Sequence, residues 1–129
     1  MKVGLSPGRI DKAEDTLREA VKTLDQVISQ VSSGKSTSDY SHAIWETYSK
    51  AEYSIMMLKL HLGIETPGRL VGKSKTTETG IDTLKKASDE LSAALNYTED
   101  GNYTKALESA RRGRDILRET LLLIRKVKA

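Results

Sequence analysis

The stretch IDKAEDTLREAVKTLDQVISQV, residues 10–31, returns apolar side chains at Ile10, Ala13, Leu17, Ala20, Val21, Leu24, Val27, Ile28 and Val31. Steps of three and four place all of these along one side of a helix, so the stretch predicts an amphipathic helix with one buried stripe. It opens after Ser6-Pro7, where proline suits a first helical turn, and Ser32-Ser33-Gly34 ends it. Ser36 to Asp39 then supplies hydroxyl and carboxylate groups able to cap a following helix.

The same spacing recurs three more times. Tyr40 to Leu62 carries Ala43, Ile44, Tyr48, Ala51, Ile55, Leu58 and Leu62, with Gly63 where a C-terminal cap belongs. Thr77 to Tyr97 carries Ile81, Leu84, Ala87, Ser88, Leu91, Ala94 and Leu95, and Glu99-Asp100-Gly101 breaks it. The last segment starts at Asn102, a good cap, and runs through Tyr103, Ala106, Leu107, Ala110, Ile116, Leu117, Leu121 and Ile124. Nothing reads as a strand. The chain is expected to be all-α, an up-and-down antiparallel four-helix bundle made of a helical hairpin over 7–63, a long connection over 64–79 and a second hairpin over 80–127.

With 129 residues, 37% hydrophobic and 30% charged, the chain suits one domain with one core. It has no cysteine, which excludes a disulfide framework, a thiolate metal site and a cysteine nucleophile, and fits a cytoplasmic protein. No stretch has the length of a membrane span, and residues 1–7 lack the apolar core of a signal sequence. The sequons Asn96-Tyr97-Thr98 and Asn102-Tyr103-Thr104 read as chance matches.

Chemistry-bearing motifs are sparse. Gly72-Lys73-Ser74 ends like a phosphate-binding loop, but Pro67 stands where the motif's first glycine belongs and a helix precedes it where a strand should. Arg69, Lys73 and Lys75 are left as cations able to hold an anion near the bundle end. The two histidines, His42 near Asp39 and Glu46 and His61 near Glu65, fall short of a di-metal set, because the other three segments contain none. The reading is therefore a protein with no metal, no cofactor and no catalytic constellation.

Charge is uneven although the total is +3: residues 81–101 carry two lysines against five acids, and residues 102–129 carry eight Lys/Arg against three acids. On the last helix Arg111, Arg114, Arg118 and Arg125 form a strip beside the apolar face, with Glu108, Asp115 and Glu119 on its outer side. That strip either pairs with acids of a neighbouring helix, such as Asp82, Asp89 and Glu90, or tracks the phosphates of RNA or another polyanion. Phenylalanine is absent and Trp45 lies in another segment, so base-stacking residues do not interleave with the arginines in sequence. Segment two is apolar on a second side as well, through Trp45, Tyr53, Met56, Met57 and Leu60. Either neighbours cover both sides of it, or Trp45, Tyr53, Met56 and Leu60 form an interface with another chain.

Ala43-Ile44-Trp45-Glu46-Thr47-Tyr48-Ser49-Lys50-Ala51-Glu52-Tyr53 leading to Leu62-Gly63-Ile64, with Tyr103-Thr104-Lys105-Ala106-Leu107-Glu108-Ser109-Ala110 feeding a long last helix, resembles the HEPN superfamily of small helical-bundle proteins. The resemblance implies a dimeric bundle that binds RNA or nucleotide-transferring partners. Catalytic members carry Arg followed by four to six residues and His. Here Ser54, Ile55 and Met56 stand at those positions before His61, and Lys35, Ser36 and Thr37 before His42. No catalytic residue is therefore carried over. The functional expectation is a non-catalytic interaction module, a homodimer or partner-binding subunit using Trp45, Tyr53, Met56 and Leu60. The alternative is an RNA or polyanion binder using Arg69, Lys73, Arg111, Arg114 and Arg118, and neither reading involves a membrane.

Overall fold

Some helix ends fall where the sequence supplies the chemistry to end them, although the starts of the first three helices have no side-chain cap bond. In the computed structural model, which describes residues 8–64 and 80–128 and side chains up to residue 126, the helices are α1 Arg9–Ser32, α2 Ser41–Leu62, α3 Ile81–Glu99 and α4 Tyr103–Lys128. A 3-10 turn, Thr37–Tyr40, leads into α2, and the Ser36 hydroxyl accepts from the Ser38 amide at its start. Gly63 ends α2 at φ 74°, a left-handed conformation that strains any side chain, while Gly63 and Ile64 donate to the Leu60 and Lys59 carbonyls. At the start of α4 the Asn102 side chain accepts from the Lys105 amide at 3.4 Å. No strand occurs among the described residues. The chain is thus an all-α four-helix bundle, as expected.

The buried stripes follow the sequence spacing. Leu17, Leu24, Ile44, Leu58, Leu84, Leu91 and Leu117 are fully covered, each stabilising the fold by about 1.5–3 kcal/mol relative to an exposed side chain. Thr47, Ser54, Thr98 and Thr120 are buried among them, and each hydroxyl donates to a backbone carbonyl three or four residues earlier, at 2.7–2.9 Å. That bond satisfies a polar group which would otherwise cost stability in an apolar core. Met57 joins this core, so it leaves the second apolar side of α2 to which its sequence position had assigned it; its Cα is a 100° step round the helix from exposed Met56.

Pairing sets the layout. The packed pairs are α1–α2, α3–α4, α2–α4 and α1–α3. Arg9 donates to the Leu60 carbonyl, Glu19 faces Lys50 at 3.7 Å and Gln30 accepts from Tyr40, so α1 and α2 are antiparallel. Arg18 meets Glu99 at 3.4 Å and Asp25 accepts from Ser88 at 2.6 Å, so α1 and α3 are antiparallel as well. Arg114 with Glu52 and Tyr103 with His61 run α4 antiparallel to α2, and the short turn between Glu99 and Tyr103 reverses α4 against α3, where Arg112 meets Glu90. All packed neighbours are therefore antiparallel, and the direction order is up, down, down, up. "Up-and-down" describes each hairpin but not the join between them. Ile64 and Gly80 lie at opposite ends of the bundle, about 35 Å apart for helices of this length. A join longer than an ordinary bundle turn is what this crossover requires.

Along α3–α4 the approach is close. A Cβ placed on Gly113 would sit 2.9 Å from Leu91 Cδ2 and 3.4 Å from the Ala87 carbonyl oxygen, so any side chain there would force Leu91 to shift.

Candidate functional site

The outer side of α2 and its seam with α4 gather most of the residues singled out from the sequence. Trp45, Tyr53, Met56 and Leu60 are 54%, 38%, 47% and 46% exposed, and on a helix all four fall within one outward-facing strip. Neighbouring helices do not cover this second apolar side. Leu122 of α4, which sequence reasoning did not single out, is exposed as well.

Two grooves run along the α2–α4 seam. The first, about 730 Å³, lies between the start of α2 and the end of α4, with Trp45, Tyr48, Leu121, Leu122 and Ile124 as its apolar lining and Arg118 and Arg125 beside them. The second, about 680 Å³, is lined by Tyr53, Ile55, Met56, Leu60 and Ile64, with Glu52, Lys59 and Arg114. Both volumes are in the range of small-ligand and peptide sites.

Between the grooves sits a charge cluster. Arg114 donates Nη1 to Glu52 Oε1 and Nε to Asp115 Oδ1, both at 2.9 Å, and Arg114 and Asp115 are only 7% and 5% exposed. Arg114 Nη2 is buried with no hydrogen-bond partner among the described residues. Burial works against the guanidinium's charge, but the bonds from Glu52 and Asp115 outweigh it and hold the Arg114 pKa above its ordinary value. Tyr48 stands beside this cluster, its hydroxyl 3.4 Å from Glu52 Oε2. Burial, and then the Glu52 carboxylate, push the Tyr48 phenol above its usual value.

These positions change the strip of arginines. Arg114 points inward and is consumed by Glu52 and Asp115, and Asp115 is buried and not on the outer side with Glu108. The physical reason is visible in the spacing: Leu107, Arg114 and Leu121 recur at intervals of seven and share the apolar face. Arg118 and Arg125 keep the outward register. Arg111 is half-buried with Nε unpartnered among the described residues, while Arg118 and Arg125 are exposed. Of the acids expected to neutralise the strip, Glu90 pairs with Arg112 at 3.0 Å, a residue outside the strip. Trp45, remote from the arginines in sequence, lines the same groove as Arg118 and Arg125, so an aromatic ring does stand among the cations.

His42 Nε2 lies 2.9 Å from Glu46 Oε1 on the open surface and stacks near Trp45 at 6.5 Å, and His61 meets the Tyr103 ring edge-on at 4.8 Å. Among the described residues no group of histidine and acid side chains has the arrangement of a metal site. No described helix is long and apolar enough to cross a membrane. Arg69 and Lys73 fall outside the described residues, as do Gly72-Lys73-Ser74 and the His61 neighbour Glu65.

Comparison of the chain with family models, with curated proteins and with solved structures finds no match in any of the three.

Proposed function

We propose that this chain is a non-catalytic helical-bundle interaction module that pairs with a second copy of itself through the outer face of α2. The observation that carries the reading is the exposure of Trp45, Tyr53, Met56 and Leu60 along one side of a single helix. Large apolar side chains aligned on one exposed face, with Ser49 among them, suit a contact surface, and aromatic and Met side chains are the types enriched at contact centres. A strip along one helix suits a two-fold pair, because each copy presents the same residues to the other. The HEPN resemblance implies a dimeric bundle and agrees with this reading. The lack of cysteine supports a cytoplasmic setting.

Light scattering at low and high salt tests it. A dimer whose mass ignores salt is expected, and Met56→Glu is expected to raise its Kd at least about tenfold by placing a charge in a contact of hot-spot type. Met56 is exposed, so the helical circular dichroism should not change. A wild-type monomer at high protein concentration sinks the proposal.

A second reading, RNA or polyanion binding, is favoured by one observation: Trp45 shares a groove with Arg118 and Arg125, which joins a stacking surface to cations. Binding that falls steeply with salt and with Arg118→Glu is its signature. Arg114→Glu is unsuitable as the probe, because it strikes the buried cluster and the fold with it.

A further inference from the structure

The groove between the start of α2 and the end of α4 has a charge pattern that self-pairing leaves unused. Arg118 and Arg125 line it, and neither has a carboxylate partner among the described residues, whereas Arg18, Arg112 and Arg114 are all paired. No acid lines the groove. The two arginines stand seven positions apart on α4, about 10 Å along the axis, and point to the same side. Trp45, Leu121 and Leu122 supply an apolar surface next to them.

We propose that this groove receives an amphipathic helix from a partner protein, its apolar stripe against Trp45, Leu121 and Leu122 and two of its acids, seven residues apart, against Arg118 and Arg125. The inference rests on the chain being an interaction module but not on its pairing with itself. Two cations two helical turns apart, in a groove walled by two helices, match the repeat of a third helix laid along them. The aliphatic residues Leu121 and Leu122 suit an apolar helix face better than a row of bases, since the rings that line the groove, Trp45 with His42 stacked on it and half-buried Tyr48, all lie on its α2 side. A second copy of the chain fits less well. Its Asp82 and Asp89 have the required separation but carry Lys85 and Lys86 between them and little exposed apolar surface alongside.

Trp45 is the only tryptophan in the chain, so its fluorescence reports from inside the groove. The probe is a synthetic helix of about five turns with leucines at helical spacing and two glutamates seven apart. Its counterparts are the same peptide with lysines for the glutamates, and a single-stranded oligouridylate. The glutamate peptide is expected to shift Trp45 emission saturably, with a Kd that rises about tenfold in the double variant Arg118→Gln/Arg125→Gln and rises with salt. Because Trp45 serves both surfaces, Met56→Glu is expected to lower the apparent peptide Kd where the copies pair and to leave it unchanged where they do not, so a failure of self-pairing is read separately from a failure of this site. Equal binding of the lysine peptide, or retention of binding by the double variant, overturns the proposal. So does a Trp45 response to oligouridylate without one to the peptide, and a response that tracks protein concentration alone assigns the groove to a second copy.

Discussion

Helix α4 has two neighbours, and it meets them in different ways. Against α3 it presents Gly113, and Leu91 and Ala87 close onto the bare backbone. Against α2 it presents Arg114, with Tyr48 and Glu52 opposite, and grooves of about 730 and 680 Å³ open on either side of that ion pair. A small residue lets two helices approach until their surfaces interlock. A long charged one holds them apart and needs partners for its charge. The sealed seam serves the fold, and the propped seam leaves surface available for binding.

Breaking the prop should have the largest effect. Arg114→Leu removes both ion pairs while leaving Glu52 and the buried Asp115 in place, and should cost about 3 kcal/mol in urea denaturation. A neutral result would mean that apolar packing alone holds α2 against α4. Filling the sealed seam comes next. Gly113→Ala should gain helix propensity but force the buried Leu91 aside, for a net loss of about 1 kcal/mol. A gain in stability would show that the close approach has slack.

The smallest effect belongs to Tyr48, and it sharpens the contrast through pH. Because burial and then Glu52 raise its pKa in the folded state, its contribution is fully present below the ordinary tyrosine value and is lost as pH rises through the folded value. Tyrosinate absorbance should show Tyr48 titrating late, and Tyr48→Phe should remove that step and flatten the alkaline fall in stability. If the late step persists in the variant, the seam around Glu52 is wetter than its burial implies.

Much of this was readable from local chemistry. Gly63 and Asn102 mark helix ends because their groups satisfy the ends, and the apolar steps along α1 mark its buried side because burial follows helical period. Trp45, Tyr53, Met56 and Leu60 were separable from the main stripe by angle alone. What escaped depends on the company that residues keep across the bundle. Arg114 is charged, and hydropathy assigns charge to solvent; only its place between Leu107 and Leu121 hinted otherwise. Glu52 is its partner because α2 and α4 pack antiparallel, which no local spacing encodes. The same pairing brings Trp45 to Arg118, and the length of the α2–α3 join signalled an unusual connection without giving its direction.

The direction order has an electrostatic consequence. With every packed neighbour reversed, amino and carboxyl ends of helices alternate around the square at both ends of the bundle. The partial charges of the helix dipoles therefore cancel around each end over a distance shorter than a Debye length. The backbone at either end of the bundle therefore exerts little net pull on an approaching ion, and attraction for acidic partners comes from side chains.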